Sequence, residues 1–113
     1  MRILIIGGQG TIGKPVTEHF QNENEVIVAG RRSGEINIDI ADTNSIEKAL
    51  ASLKKVDAIV CIAGEAKWAN FNELTEDDYY IGLRSKLMGQ VNLVRIGKDY
   101  LTSGGSITLS TGI

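Results

Sequence analysis

The chain alternates between short unbroken apolar runs and longer stretches in which apolar residues recur every three or four positions. Switching between those two periods marks βαβ units wound into a parallel sheet. Residues 3–6 predict a first strand. Beyond a cluster of glycines, Ile12, Val16 and Phe20 stand at helical spacing and predict a helix with one buried stripe. Pro15 is acceptable in its first turn, where amide protons have no intrahelical partner. Residues 26–29 predict the second strand, residues 30–34 a turn, and the alternation of Ile36, Ile38 and Ile40 a short third strand. Asp42 or Thr43 should cap a helix carrying Ile46, Ala49, Leu50 and Leu53. Residues 58–63 are apolar at every position, as in a strand covered on both faces, and are expected at the centre of the sheet. The longest helical pattern runs from Thr75 to about Leu101, opened by a capping box of Thr75 and Asp78 and closed by Gly104 and Gly105. Residues 106–111 predict the fifth strand. The pattern predicts a doubly wound parallel α/β domain, Rossmann-like, whose last element is the fifth strand.

Composition narrows the function without choosing it. A chain of 113 residues, 42% hydrophobic and 23% charged, has room for one modest core and no second domain. Its formal net charge is -2 and its basic residues are scattered, so it lacks the concentrated positive field that nucleic acid or an anionic membrane surface needs. The opening apolar run is too short for a signal peptide and lacks a small-residue cleavage site, which gives a cytoplasmic expectation. Cys61 lies inside an apolar strand pattern and reads as a buried strand residue, not a nucleophile. His19 is the single histidine and has no cysteine company, so no metal site is expected.

The candidate chemistry begins at Gly7-Gly8-Gln9-Gly10-Thr11-Ile12-Gly13, which leaves a strand and opens a helix. In that context Gly7 permits a tight strand exit, Gly10 lets a pyrophosphate approach the backbone, and Gly13 lets the helix pack close. A diphosphate placed there meets the free amides and the positive dipole end of the helix. The motif reads as GxGxxG from Gly8 or, more tellingly, as GxxGxxG from Gly7.

With GxxGxxG in this place the chain resembles the short-chain dehydrogenase/reductase superfamily, whose atypical branches carry that spacing, and the likeness runs through all 113 residues. The resemblance implies a nicotinamide dinucleotide bound by Gly7, Gly10, Thr11, Ile12 and Gly13. Asp39-Ile40 is similar to the family's acidic-aliphatic pair around the adenine. Cys61-Ile62-Ala63-Gly64 resembles the family's NNAG signature, keeping its last two residues, and Ala63 and Gly64 should leave space beside the adenosine ribose. No acidic residue closes the second strand to accept from the ribose hydroxyls. Arg31, Arg32 and Ser33 stand there instead, and in the resembled family a basic residue at this turn holds the 2′-phosphate of NADP, for which a planar guanidinium is suited. NADP(H) is therefore expected in preference to NAD(H), which stays possible.

The family's catalytic residues are mostly missing. Its YxxxK pair belongs on a helix after the fifth strand, where this chain has ended; Tyr80 and Arg84 imitate the spacing on the wrong helix. The family's serine place falls at Ser110-Thr111-Gly112; counting from Gly105 puts Gly112 on it, with Thr111 beside it able to supply a hydroxyl. Lys86-Leu87-Met88-Gly89 resembles the family's NLxG stretch with lysine for asparagine. Lys86 reads as an exposed helix lysine, with a modified proton relay as the alternative. Two functions follow. One is the dinucleotide half of an NADP(H)-dependent oxidoreductase acting on an unidentified carbonyl or alcohol. The other is a binding or sensing module without hydride transfer. Glu65 to Asn72, with Trp68 and Phe71, could line a substrate mouth or pack the loop. Leu83, Leu87, Val91 and Val94 on one side of the long helix and Met88 near Gly89 on another suit contact with both the sheet and a partner helix, and in the resembled family this helix builds dimers, so a homo-oligomer is expected.

Overall fold

A computed structural model describes residues 1–111 of the chain. Five parallel strands, β1 (Arg2–Ile6), β2 (Glu25–Gly30), β3 (Ile36–Asn37), β4 (Val56–Cys61) and β5 (Leu101–Thr108), form one sheet in the order β3-β2-β1-β4-β5. This is the five-strand α/β Rossmann-like arrangement that the apolar pattern predicts. Helix α1 (Gly13–Gln21) crosses from β1 to β2, and α2 (Thr43–Ala51) from β3 to β4. The crossover from β4 to β5 is a helical run: α3 (Glu76–Gly82), a π-helical turn (Leu83–Met88), α4 (Gly89–Gly97) and a closing 3₁₀ turn (Lys98–Tyr100).

Strand alternation divides the interior in two. Leu4, Ile6, Ile27, Ala29, Ile59 and Cys61 turn to one face and meet Ile46, Ala49 and Leu50 of α2 and Leu93 of α4. Each such fully buried aliphatic side chain contributes about 1.5–3 kcal/mol. Ile3 and Ile5 are buried on the face that carries α1. Asp42 caps α2, accepting from the amides of Asn44 and Ser45, and Thr75 and Asp78 form the expected capping box on α3.

The structure corrects several boundaries. Ile12 is the N-cap residue of α1 and 66% exposed, and Val16 and Phe20 are half-buried, since among the described residues α1 packs chiefly on β1 and β2. No helix joins β2 to β3; residues 31–35 double straight back, so only Ala29 and Gly30 find partners, in Ile36 and Asn37. Ile38 and Ile40 are nevertheless buried past the strand end. β1 takes the middle of the sheet and β4 stands between it and β5. Gly104 and Gly105 do not end a helix. β5 already begins at Leu101, and the pair forms a bulge in it, where pairing passes from Val56↔Leu101 to Ala58↔Ser106 and Gly104 takes φ +78°. β5 accordingly ends at Thr108, before Thr111.

Candidate functional site

The carboxyl ends of β1 and β4 lie side by side where the chain's crossovers diverge to opposite faces, the place where open α/β sheets bind ligands. A cleft of about 390 Å³ opens there. Gly7 and Gly10 form its floor, Arg31 and Asp39 one side, and Ala63, Gly64 and Glu65 the other; Ile6, Gly30, Ile38, Ile40 and Ser85 complete the lining.

Gly7 leaves β1 with φ +87°, and a Cβ on it would lie 2.9 Å from the Ile62 carbonyl. Its amide donates to the Ala29 carbonyl at 2.8 Å, so the loop is tied to β2 as it departs. A Cβ on Gly13 would stand 1.9 Å from the Gly7 oxygen, which means that the closeness Gly13 permits is chiefly to the loop itself. Gly8 is buried against Val28 and Thr17 and takes no part in the cleft. Gly10 meets only the Gly7 oxygen, at 3.4 Å, and otherwise faces open space. No side chain caps the N-terminus of α1, where Thr11 and Ile12 are exposed. These residues fit a diphosphate: they provide a cradle that a methyl group would fill, beside the positive end of a helix.

Arg31 reaches across the mouth of the cleft to form an ion pair with Glu65. Hydrogen bonding to Glu65, followed by its charge, raises the Arg31 pKa above its ordinary value. Arg32 and Ser33 are exposed in the same turn but do not line the cleft. Asp39 Oδ1 accepts from the Ala41 amide at 3.0 Å, and the Asp39 amide donates to Ser45 Oγ at 2.8 Å, which fixes the acidic-aliphatic pair above the cleft wall. Gly64, at φ +129°, lies against Lys86.

Lys86 is not the exposed helix lysine expected from its surroundings in the sequence. It is half-buried, and its Nζ donates to Ser110 Oγ at 3.1 Å and to the Ala63 carbonyl at 3.4 Å. The π turn brings this about by rotating Ser85 and Lys86 toward the β4 loop; Ser85 Oγ accepts from the Glu65 amide at 2.8 Å. Gln90, 6% exposed, holds Ser110 by both its amide and its carbonyl. Thr111 is exposed and Gly112 lies outside the described residues. Arg84 stacks over the Tyr80 ring at 5.4 Å, away from the cleft. The cleft and its flank thus unite Gly7, Gly10, Arg31, Asp39, Ile40, Ala63, Gly64 and Lys86; Thr11, Ile12 and Gly13 follow at the start of α1 without lining it, and Arg32, Ser33 and Thr111 lie outside.

The family model of the NAD dependent epimerase/dehydratase family matches residues 3–107. The chain belongs to that family. No curated protein matches it. Among solved structures it is similar to the protein lin1944 from Listeria innocua, at 46% identity and TM-score 0.96, covering 100% of this chain and 56% of that one. A small-chain dehydrogenase in complex with NADPH is 27% identical with TM-score 0.88, over 99% of this chain and 51% of that one. Serine dehydrogenase from Escherichia coli, 24% identical with TM-score 0.81 over 95% of this chain and 60% of that one, shares the fold. The chain therefore spans little more than half the length of these proteins. As a member of the epimerase/dehydratase family it has an NAD(P)-binding fold of the short-chain dehydrogenase/reductase type.

In this family member sequence reasoning misses Ser85 and Gln90 altogether, and misses the contacts of Glu65 and Ser110. All four act on a partner 20 or more positions away, as in the pairs Glu65 with Ser85 and Gln90 with Ser110, and no local spacing announces them. No described helix is long and apolar enough to cross a membrane.

Proposed function

We propose that this chain is the cofactor-binding half of an oxidoreductase acting on a carbonyl or alcohol, and that it takes NADP(H) in preference to NAD(H). The observation that carries the reading is the open cradle at Gly10, set between the uncapped start of α1 and the Arg31 guanidinium. Gly7, Gly10, Thr11, Ile12 and Gly13 would hold the diphosphate by backbone amides. Ala63 and Gly64 would leave room for the adenosine ribose, Asp39 and Ile40 would flank the adenine, and Arg31, with Arg32 and Ser33 beside it, would meet the 2′-phosphate. The bound nicotinamide would supply or accept hydride. Lys86 would hold a proton near Ser110, with Thr111 as a further hydroxyl at the strand end. The NADPH complex of a 27% identical neighbour supports the dinucleotide class. Trp68 and Phe71, 86% and 80% exposed, would border the substrate. Self-association through the long helix and a cytoplasmic location belong to the same proposal.

The second reading, binding without hydride transfer, draws on Cys61 and Ile62 in the NNAG place and on Lys86 in the asparagine place. Fluorescence titration of the protein with NADPH and NADH at fixed salt tests the first. An NADPH preference of about tenfold is expected from one charge-assisted contact at an exposed turn. Arg31→Asp should reverse it. Equal affinities, or an unchanged ratio in the variant, would overturn the preference; the two readings part on whether a YxxxK pair follows residue 113 in the source gene, since neither expects this chain by itself to turn over NADPH.

A further inference from the structure

Arg31 and Glu65 come from opposite walls of the cleft, one just after β2 and the other just after Gly64 at the end of β4, and they close over its mouth as an ion pair. Resting on the dinucleotide reading above, we infer that Glu65 is a specificity-determining residue: it competes with the 2′-phosphate for Arg31 and so sets how strongly the site discriminates between the two cofactors.

Glu65 is aimed by rigid surroundings. Its amide donates to Ser85 Oγ at 2.8 Å, and Ser85 is only 9% exposed within the π turn. The residue before it, Gly64, is wedged against Lys86, where a Cβ would come within 2.6 Å of the lysine Cδ. The backbone of Glu65 therefore stays in place while its carboxylate is free to turn. The pair itself is weak. Its side chains are 46% and 51% exposed, so water and salt screen their attraction and neither charge is stranded when they part. A phosphate offers the guanidinium a stronger bidentate partner than a carboxylate does, and it can displace Glu65 without burying an unpaired charge.

Displacement still has a cost. A 2′-phosphate entering this mouth gains Arg31 only by breaking its pair with Glu65, whose exposed carboxylate then turns to solvent. NAD(H), whose bare ribose makes no claim on Arg31, leaves the pair intact. Glu65 thus lowers the affinity for NADP(H) selectively, and the discrimination falls short of what Arg31 alone would give.

The test is a double-mutant cycle read by cofactor titration, with wild type, Glu65→Gln, Arg31→Gln and the double variant each titrated with NADPH and NADH at low and high salt. Glu65→Gln should raise the NADPH-to-NADH affinity ratio about two- to fivefold, the scale of an exposed ion pair, with less effect at high salt. In the Arg31→Gln background the same substitution should leave the ratio nearly unchanged. A Glu65→Gln ratio equal to wild type overturns the inference while leaving the dinucleotide reading in place. A ratio that rises equally with and without Arg31 overturns it too, since Glu65 would then be acting directly on the phosphate or the ribose. Failure of the wild type to bind either cofactor removes the dinucleotide reading and this inference with it. Both positions are exposed enough for the variants to fold, and circular dichroism verifies that they have.

Discussion

Gln90 grips Ser110 at two points: its Nε2 donates to the Ser110 carbonyl at 2.9 Å and its Oε1 accepts from the Ser110 amide at 3.0 Å. The same Nε2 donates to the Lys86 carbonyl at 3.1 Å, so one buried amide side chain ties the π turn to the chain just past β5. Gln90→Leu keeps the volume and removes every one of these bonds. The variant should lose about 1–3 kcal/mol, the cost of leaving buried polar groups unpaired, as measured by urea unfolding. An unchanged midpoint would show that the clamp contributes nothing net.

Gly10 and Gly13 should separate binding from folding. A methyl at Gly13 would overlap the Gly7 oxygen, so Gly13→Ala must displace the loop and should lower both the melting temperature and cofactor affinity. A methyl at Gly10 finds ordinary contact distance to its nearest neighbour and projects into the cleft. Gly10→Ala should melt within a few degrees of wild type and bind NADPH about tenfold or more weakly. Unimpaired binding by Gly10→Ala would mean that the diphosphate does not lie on this loop.

Asp57 secures the amino end of the sheet. One carboxylate oxygen accepts from the Arg2 amide at 2.6 Å and the other from the Thr102 hydroxyl at 2.7 Å, linking β4 to β1 and β5. Those two bonds, the Arg2 amide first, hold its pKa below the usual carboxylate value. The folded protein therefore binds this proton more weakly than the unfolded chain does. Its contribution to stability is fully present above the unfolded value of about 4 and is lost as pH falls through the lower folded value. Asp57→Asn should be less stable than wild type at pH 7, with the gap narrowing below about pH 4, in urea titrations at both pH values. A gap that stays constant would place the effect in packing instead of charge.

The outer side of the long helix presents Leu83, Leu87, Val91 and Val94, between 36% and 55% exposed, while Gly89, Leu93 and Gly97 face inward. Of the two sides that the sequence offers for the sheet and a partner, the structure leaves this one the more exposed. Sedimentation should show self-association of the protein, and Leu87→Glu with Val91→Glu should reduce it without lowering the melting temperature. Unchanged association in the double variant would assign the contact to another surface.

The strands and the glycine loop were legible because each is dictated by neighbours in sequence: Ile3 to Ile6 by an apolar run, Gly7 and Gly13 by their distance from it. Asp42 and Thr75 announced their helices for the same reason. Gly104 and Gly105 were misread because a glycine pair serves a helix stop and a β-bulge equally well, and only pairing with Val56 and Ala58 decides between them. Lys86 was misread because an ideal helix places it on the outside, and the wide turn does not follow that geometry. Glu65 as the partner of Arg31 could not be seen at all, since their meeting depends on β2 and β4 flanking β1.

The π turn at Leu83–Met88 amounts to a change of phase halfway along a single helix. A turn of this kind seats one residue more than the α form, which offsets the sides presented before and after it by about 100°. Within it the helix is keyed to the β4 loop through Ser85 and Lys86, and downstream of it to the sheet through Leu93 and Gly97. Removing one exposed residue such as Leu87 would restore a uniform winding, yet no uniform winding can satisfy both keys. Either Ser85 would let go of the Glu65 amide or Leu93 would leave the core, so a deletion harmless to the helix alone would disengage the cleft wall from the sheet that supports it.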